Sequence, residues 1–480
     1  MPEGSESVRN RTKIVATVGP ASRSRQRLTE LIQAGTNVFR LNMAHGRPNE
    51  QEKTVARIRS ISRELGRPVG ILVDLAGPKI RLGELVKDPL DCQLGARFDF
   101  VRGETSTNAH ELVSTYPPLI DELSEGDRVM LADGTVAMVV EEKLSDRLTC
   151  RVVLSGLLRS RQGINLPGVQ LSVPSLTEED RINAIWATSQ EIDFVGLSFV
   201  RQASDVAELK AMLRERGCQA LVVAKIEKPD ALERLEEIVA TADAVMVARG
   251  DLGVETEVSE MPMAQKRIIK TCNRMGRPVI VATQMLDSMQ HSSRPTRAEA
   301  TDVANAILDG ADACMLSGET AIGEYPLEAV RMMRRIMIAT EKSLHDRMAH
   351  DPAAPPIIGV HPITSATVYG AGQIAQKLLA KLVVVSTRSG TSALAKSSQR
   401  DFIPTVAVSD SQDTLHRVTL YWGITPLEDA PCLFGSELRS FINHWGKQDG
   451  CLKPGDRVVM VTGSGIMTGA HNQVVVHEVS

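Results

Sequence analysis

The chain has 480 residues, 42% of them hydrophobic and 24% charged, a composition typical of a globular protein with about two to four domains. Its formal net charge of -4 gives no electrostatic reason to expect nucleic acid or an anionic membrane as a partner, and an aromatic content of 3% disfavours platforms for base stacking. The seven cysteines are scattered, so we expect neither disulfide bonds nor a structural zinc site. The polar N-terminus and the lack of a long apolar run predict a cytoplasmic protein.

Short runs rich in β-branched residues alternate with amphipathic stretches of helical period. One helix is predicted from Arg25 to Ala34, closed by Gly35, and another from Ile182 to Gln190. Apolar strands that alternate with helices are typical of a parallel sheet covered by helices. The runs predict an α/β fold with a (β/α)8 TIM barrel, and a doubly wound open sheet is the second choice. They are KIVATV from Lys13, NVFRLN from Asn37, VGILVD from Val69, DFVGLSF from Asp193, LVVAKIE from Leu221, DAVMVAR from Asp243, PVIVATQ from Pro278 and DACMLSGE from Asp312.

Polar residues follow nearly every run at its C-terminal end. In a barrel these ends meet at one mouth, where barrel enzymes carry their active sites. We therefore predict an enzyme. The side chains expected at the mouth are Arg40, Asn42, Asp74, Ser198, Lys225, Glu227, Arg249, Asp251, Thr283, Ser317 and Glu319.

Two of these strand ends carry paired charges, Lys225 with Glu227 and Arg249 with Asp251. Mg²⁺ is typically held by one or two carboxylates together with substrate oxygens and water. The two cations would offset the charge of a phosphorylated substrate. Surface ion pairs are the alternative reading, and the further segments of the same form disfavour it.

A long insertion interrupts the pattern, since roughly ninety residues separate Arg81 from Leu171 where such loops normally take about two to six. The segment from Asp127 alternates around an Asp-Gly turn, which predicts antiparallel β structure and an inserted β-barrel lid domain over the mouth. A proline-rich linker precedes a small C-terminal α/β domain. The predicted parts are a tail (1–10), the barrel (11–83 and 171–350), the lid (84–170) and the C-terminal domain (351–480).

Seven segments resemble the pyruvate kinase family in order and approximate spacing, and the likeness covers essentially the whole chain. They are FRLNMAHG, DLAGPKIR, GINLPG, AKIEKPDA, MVARGDLGVE, PVIVATQMLDSM and RPTRAEATDVANAILDGADACMLSGETA. The resemblance implies transfer of the phosphoryl group of phosphoenolpyruvate to ADP in glycolysis, by way of an enolate. It also implies a homotetramer.

The resemblance assigns roles to several residues. Glu227 and Asp251 would bind Mg²⁺, with Mn²⁺ as the alternative ion. Lys225 would stabilise the transferring phosphoryl group, whose oxygens Arg40 and Arg81 would hold.

Other roles concern the substrate carboxylate, the enolate and the nucleotide. Backbone N–H groups of Gly250 and Asp251 suit the carboxylate. Thr283 would deliver a proton to the enolate through water, with Ser317 and Glu319 as relay groups. The nucleotide-side positions are Pro20, Asn42, His45 and Arg81. His45 and Ser317 also fit ordinary cap or loop roles, and Arg294 and Arg297 fit an interface or a helix start better than catalysis.

The chain departs from the family at Ala44, where many members have serine, and in DLAGPKIR, where they have D-T-K-G-P-E-I-R. Leu75, Ala76 and Lys79 are therefore substitutions. In the usual enzyme the serine and the Asp-Thr pair help to hold potassium, and the ammonium of Lys79 can supply the same charge. We predict catalysis that is independent of potassium, as in the family's lysine-bearing branch.

A second departure is Gln162 on the lid, where many relatives have a lysine. The change predicts weaker ADP binding or a different nucleotide preference, with Arg159 and Arg161 as candidate replacements.

A Ser/Thr-rich turn in the C-terminal domain resembles the family's effector site. Hydroxyl and N–H groups at a helix start can bind an anion, so a sugar phosphate is the predicted activator, and a plain N-cap is the alternative. The residues are Ser386, Thr387, Ser389, Gly390 and Thr391.

Two other functions remain open. A metal-dependent lyase that acts on a pyruvate enolate would not need the lid or the pair Arg40 and Arg81. A catalytically silent sugar-phosphate sensor would agree with Ala44 and Gln162, but Lys225 and its neighbours count against it.

Overall fold

The structure is a computed structural model that describes residues 10–44, 48–132, 134–169, 171–347, 357, 359–432, 435–463 and 471–480. Within these ranges no helix is both long and apolar enough to cross a membrane. Elements are numbered along the chain. The first are strands β1 Lys13–Thr17, β2 Val38–Asn42 and β3 Gly70–Asp74, with helices α1 Arg25–Ala34 and α2 Pro48–Leu65.

Helix α1 has the bounds predicted from its sequence. Ser24 precedes it, and Ser24 Oγ accepts a hydrogen bond of 3.2 Å from the N–H of Arg27. Gly35 follows its last residue with a φ of 121°, a conformation that glycine adopts at little cost. Strands β1 and β3, which lie on either side of β2, are buried at all five of their positions, as expected for a parallel sheet covered by helices.

The inserted domain follows β3. Its elements are β4 Leu90–Cys92, β5 Arg97–Val101, β6 Glu111–Leu112, α3 Leu119–Glu122, β7 Arg128–Leu131, β8 Val136–Lys143, β9 Arg147–Leu154, β10 Gly156–Leu158 and β11 Ile164–Asn165. They form a six-stranded sheet of order β11-β7-β8-β9-β5-β6 and a two-stranded sheet of β10 and β4. Strands β7 and β8 pair antiparallel on either side of the predicted turn, in which Asp133 lies outside the described residues. The domain has a hydrophobic core of its own.

The chain then returns to the barrel. The elements are α4 Glu178–Thr188, β12 Phe194–Leu197, α5 Ala203–Glu215, β13 Leu221–Ile226, α6 Pro229–Glu233, α7 Leu235–Thr241, β14 Ala244–Ala248, α8 Arg249–Glu255, α9 Met261–Met275, β15 Val279–Ala282, a 3-10 helix Asp287–Gln290, α10 Arg297–Leu308, β16 Ala313–Leu316, α11 Gly318–Ala321 and α12 Pro326–Arg347. Helix α4 begins before the predicted Ile182 because Thr177 and Asp180 form a capping box ahead of the apolar pattern.

Eight parallel strands close into a barrel in the order β1-β2-β3-β12-β13-β14-β15-β16. The predicted TIM barrel is confirmed, and the open sheet is excluded. Pairing brings the ends of neighbouring strands level, with Asp74 opposite Asn42 on one side and Gly196 on the other. The polar C-terminal ends therefore lie together at one mouth.

The C-terminal domain is a smaller α/β unit. Its elements are α13 Pro362–Lys377, β17 Leu382–Ser386, α14 Thr391–Ser397, β18 Thr405–Val408, α15 Gln412–Arg417, a 3-10 helix Val418–Leu420, β19 Ile424–Leu427, α16 Gly435–Gln448, β20 Arg457–Thr462 and β21 Gln473–Glu478. The sheet has the order β19-β18-β17-β20-β21, parallel except for β21. Most of the predicted linker, residues 351–356 and 358, lies outside the described residues.

Candidate active site

The ammonium group of Lys225, near the end of β13, is buried at the barrel mouth. Its Nζ lies 2.9 Å from Glu227 Oε1 and 3.3 Å from Asp74 Oδ1, and it donates a hydrogen bond of 2.7 Å to Ser198 Oγ. Burial would lower the pKa of Lys225, but the carboxylates of Asp74 and Glu227 outweigh it and raise the pKa above its ordinary value. Lys225 is therefore a cation throughout the neutral pH range.

Asp74, the last residue of β3, lies between two cations. Arg40 donates through Nε to Asp74 Oδ2 at 2.7 Å, and Arg40 Nη2 lies 2.6 Å from the same oxygen. Burial would raise the pKa of Asp74, but Lys225 and Arg40 hold it below its usual value. Gly196 provides the room, since a Cβ there would lie 2.8 Å from Asp74 Oδ1. The sequence marked Asp74 as a polar strand end and, by resemblance, as part of the family's potassium site. Its buried contacts with Arg40 and Lys225 depend on the pairing of β3 with its neighbours.

Glu227 and Asp251 are the candidate metal ligands. Burial, opposed by Lys225 and reinforced by the nearby charge of Asp251, raises the pKa of Glu227. Two carboxylates close enough to repel each other are a donor set that a divalent cation fits, because the cation favours their charged forms. In the part of the chain that the structure describes, no cluster of three His, Cys, Asp or Glu side chains forms a complete metal site. The remaining ligands would come from substrate and water, as is usual for Mg²⁺.

Thr283, just after β15, has a left-handed backbone conformation with a φ of 67°, which is rare for a β-branched residue. Its Oγ1 accepts a hydrogen bond of 2.7 Å from the N–H of Gly250 and donates one of 2.7 Å to Ala282 O. The N–H of Gly250, which was predicted to suit a substrate carboxylate, is therefore bonded to Thr283 in this structure. A Cβ on Gly250 would lie 3.4 Å from Thr283 Oγ1.

Arg249 does not point its charge at the substrate space, contrary to the expectation for it. Its Nη1 donates to Asp302 Oδ2 at 2.6 Å, and its Nη2 donates to Thr283 O at 2.7 Å and Gln284 O at 3.0 Å. Gln284 also has a positive φ, of 52°. Arg249 therefore holds the strained turn that positions Thr283.

Glu319 and Ser317 lie beneath this turn. Glu319 accepts backbone hydrogen bonds from Leu286 at 3.0 Å and from Ser317 at 2.7 Å, and burial raises the pKa of its carboxyl. Ser317 Oγ is buried without a hydrogen-bond partner among the described residues. Glu319 thus joins two loops of the mouth, a contact that sequence spacing did not reveal.

Lys79 is exposed, and among the described residues no hydrogen bond or ion pair engages its ammonium. It lines two cavities that Asp251 also lines, the larger of about 760 Å³. The structure therefore brings an exposed positive charge to the side of the mouth that carries Asp251.

Arg81 contacts the lid. Its Nη1 donates to the backbone carbonyl of Arg161 at 3.1 Å, and among the described residues no hydrogen bond or ion pair joins Arg81 to Arg40 or Lys225. The side chain of Gln162 accepts a hydrogen bond of 2.7 Å from the N–H of Arg159, so it caps a turn of the lid.

Two of the predicted nucleotide-side residues, Pro20 and Asn42, follow or end strands at the mouth of the barrel. Pro20 is exposed, and Asn42 Oδ1 accepts a hydrogen bond of 3.1 Å from the N–H of Ala44. His45 lies outside the described residues. Arg294 and Arg297 are both exposed, and Arg297 is the first residue of α10.

The Ser/Thr-rich turn connects β17 with α14. Thr387 Oγ1 accepts a hydrogen bond of 3.0 Å from the N–H of Gly390, whose φ is 90°, and the hydroxyls of Ser389 and Thr391 lie 3.1 Å apart. Ser386 ends β17. The exposed hydroxyls of Ser389 and Thr391 thus share one side of a tight turn.

Sequence comparisons give consistent relatives over both parts of the chain. The family descriptions "Pyruvate kinase, barrel domain" and "Pyruvate kinase, alpha/beta domain" match residues 9–330 and 365–477. Similar proteins include the pyruvate kinases of Geobacillus stearothermophilus (39% identical over 477 residues, 98% of this chain and 81% of the relative), Mycobacterium intracellulare (40% over 476 residues, 98% of each) and Thermotoga maritima (38% over 468 residues, 96% of this chain and 98% of the relative).

Proposed function

This chain belongs to the pyruvate kinase family, and from that premise we propose that it transfers the phosphoryl group of phosphoenolpyruvate to ADP in a reaction that requires Mg²⁺ and not potassium. The observation that carries the proposal is the buried ammonium of Lys225, held between Asp74, Ser198 and Glu227 at the barrel mouth. Phosphoryl transfer asks the protein chiefly for positioning and for neutralisation of charge.

Lys225 and Arg40 would neutralise the transferring phosphoryl group. Both are fixed by Asp74, so neither has to be reorganised when charge develops in the transition state. A fixed donor of this kind contributes about 3–4 kcal/mol to transition-state stabilisation. Arg81 would act from the lid side, where its guanidinium lies against Arg161.

Glu227 and Asp251 would hold the Mg²⁺ ion, with Mn²⁺ as the alternative. When bound, the ion supplies Lewis-acid stabilisation of negative charge on the enolate and phosphoryl oxygens. The N–H of Asp251 remains the backbone candidate for the substrate carboxylate, because the N–H of Gly250 is bonded to Thr283. The Thr283 hydroxyl would pass a proton to the enolate through water, with Ser317 and Glu319 as relay groups.

Potassium independence is supported by what surrounds Asp74. Ala44 lacks a hydroxyl, and Leu75 is 1% exposed within the apolar core of the barrel, so two oxygen ligands of the usual potassium site are missing. Lys79 brings to the mouth an ammonium that has no partner in the described part of the chain. A tethered cation can replace the charge of a bound ion.

Phosphoenolpyruvate, ADP and Mg²⁺ should give pyruvate at equal rates in sodium and in potassium buffers. Lys79→Ala should lower both rates about tenfold, by loss of a charge near the phosphoryl group. Lys87→Ala, at an exposed lysine of the lid, is the matched control.

A strong rise in rate with potassium would refute the role of Lys79 and leave the reaction intact. No pyruvate in either buffer, with or without sugar phosphates, would refute the reaction and favour the silent sensor.

We propose a sugar phosphate as activator, bound by the turn of Ser386, Thr387, Ser389, Gly390 and Thr391. Ser389→Asp should abolish activation by hexose or pentose monophosphates and spare the basal rate, because a carboxylate would repel the phosphate. Ser440→Asp, at an exposed serine of α16, is the control. Activation that survives in Ser389→Asp would favour the plain N-cap.

The remaining features of the proposal follow from the family. The enzyme would be a cytoplasmic homotetramer of glycolysis without nucleic acid or membrane partners. Gln162 would alter the preference among nucleoside diphosphates, since it replaces a cation with a side chain that caps a lid turn.

A further inference from the structure

The loop that follows β12, residues 198–202, contacts both segments that connect the barrel with the lid. We call residues 75–83 the outgoing strap and residues 171–176 the returning strap. Phe199 is the centre of this loop and has a φ of 52°, a left-handed conformation that is unfavourable for an aromatic residue. A strained backbone at such a position persists only where its surroundings enforce it.

The backbone N–H of Phe199 is directed at the candidate metal ligand. It donates a hydrogen bond of 2.7 Å to Glu227 Oε2. The other oxygen of that carboxylate lies 2.9 Å from Lys225 Nζ. The carboxylate of Glu227 therefore bonds both to Lys225 and to the backbone of Phe199.

The ring of Phe199 packs on the outgoing strap at Gly77. A Cβ on Gly77 would lie 2.7 Å from Phe199 Cδ2 and 2.8 Å from Ser198 Cβ, so the ring and the strap are in close contact. Gly77 has a φ of 69°, and its carbonyl accepts a hydrogen bond of 2.8 Å from the N–H of Lys79. The turn that places Lys79 therefore rests on the ring.

The same loop holds the returning strap. The carbonyl of Phe199 lies 2.8 Å from Ser175 Oγ, which is buried. Two residues further on, Arg201 donates to Leu171 O at 2.6 Å and to Val173 O at 2.8 Å. One short loop thus contacts the metal ligand and both straps.

We propose that Phe199 is a positioning residue that couples the occupancy of the Glu227 site to the two straps, and so to the lid and Lys79. The coupling rests on the proposed function in one respect, the binding of metal and substrate at Glu227. Phe199 acts on the site through Glu227, to which its N–H donates. Its strained backbone and its ring link the site to the straps.

Amide hydrogen exchange in the straps tests the coupling without relying on turnover. In the wild-type protein, Mg²⁺ with phosphoenolpyruvate should slow exchange in residues 75–83 and 171–176 about tenfold. In Phe199→Ala this response should be largely lost. Phe199→Leu, which retains a large apolar side chain, should restore part of it and serves as the second variant if the alanine variant does not fold.

Val200→Ala is the matched control, because Val200 is the next residue and is fully buried in the barrel core. It should keep the response, although it too removes buried apolar atoms from the loop. Gly77→Ala places a methyl group against the Phe199 ring from the outgoing strap, and it should reduce the exchange response as Phe199→Ala does.

Three outcomes are distinguishable. A response lost in Phe199→Ala and kept in Val200→Ala supports the coupling. An equal response in wild type and Phe199→Ala overturns it while the proposed reaction stands. Straps that do not respond in the wild type also overturn it, and the pyruvate assay then shows separately whether the reaction itself fails.

Discussion

Replacement of Lys225 by Met is expected to lower kcat by about a thousandfold, because the site loses the fixed cation aimed at the transferring phosphoryl group. The ammonium has two carboxylates and a hydroxyl as partners, and 10% of the side chain is exposed. Pyruvate formation at saturating phosphoenolpyruvate, ADP and Mg²⁺ measures the loss. The KM for phosphoenolpyruvate should change less than kcat if the interaction strengthens in the transition state.

The same substitution leaves Asp74 and Glu227 buried without their shared cation, which costs about 3–5 kcal/mol of stability. Thermal unfolding must therefore accompany the kinetics. Lys210→Met is the matched control, since Lys210 forms a partly buried ion pair of 2.7 Å with Asp243 away from the mouth. Lys210→Met should unfold at a lower temperature than the wild type and keep the wild-type kcat. A Lys225→Met protein that is folded at the assay temperature and retains wild-type kcat would refute the assigned role.

Asp74→Asn is expected to lower kcat by about a hundredfold, since it removes the charge that fixes Arg40 and Lys225. The amide has the same shape as the carboxylate, so packing against Gly196 is preserved. Coupled assays of pyruvate formation give the kinetic effect. Both cations should become less ordered, and the KM for phosphoenolpyruvate should rise together with the fall in kcat.

The substitution also predicts a dependence of stability on pH. The pKa of Asp74 is lowered in the folded protein, so its ion pairs contribute stability above its unfolded pKa and lose it as the pH falls through the folded value. The difference in unfolding temperature between wild type and Asp74→Asn should therefore be full at neutral pH and shrink in acid.

Asp193→Asn is the control for Asp74→Asn. Asp193 is buried just before β12, on the opposite side of the barrel from the mouth, and its Oδ2 lies 2.5 Å from Arg59. Burial would raise its pKa, but Arg59 and His416 together hold the pKa below its usual value. Asp193→Asn should show a similar loss of stability without the loss of kcat. An equal loss of kcat in the two variants would mean that Asp74 affects activity only through the stability of the folded protein.

The barrel was predictable because its signals are local. Buried strands such as β3 read as continuous apolar runs, and the bounds of α1 follow from its cap residues. The strand ends then placed Lys225 and Glu227 at one mouth. The predicted start of α4 was too late, because the capping box that begins this helix lies before the apolar pattern from which the helix was predicted.

The finer geometry of the site was not predictable, because it depends on contacts between residues that are far apart in the sequence. The burial of Asp74 against Gly196 depends on which strands pair, and a single strand sequence does not carry that information. Arg249 was expected to face the substrate, yet its side chain bonds to the turn of Thr283. The partners of such a long side chain depend on which residues the folded chain brings near it. Sequence identified the residues at the mouth, and tertiary contacts decided which of them face the substrate space.

The small size of Gly196 has a consequence for how the enzyme tolerates mutation. Its φ is not positive, so any amino acid fits its backbone, and helix or strand propensity alone would predict a permissive site. The restriction comes from the neighbouring strand β3. Even the methyl group of an alanine at position 196 would lie 2.8 Å from Asp74 Oδ1 and would displace the carboxylate from Arg40 and Lys225. In a scan of all substitutions, position 196 should therefore tolerate as little change as a residue of the active site, although its side chain is a single hydrogen atom.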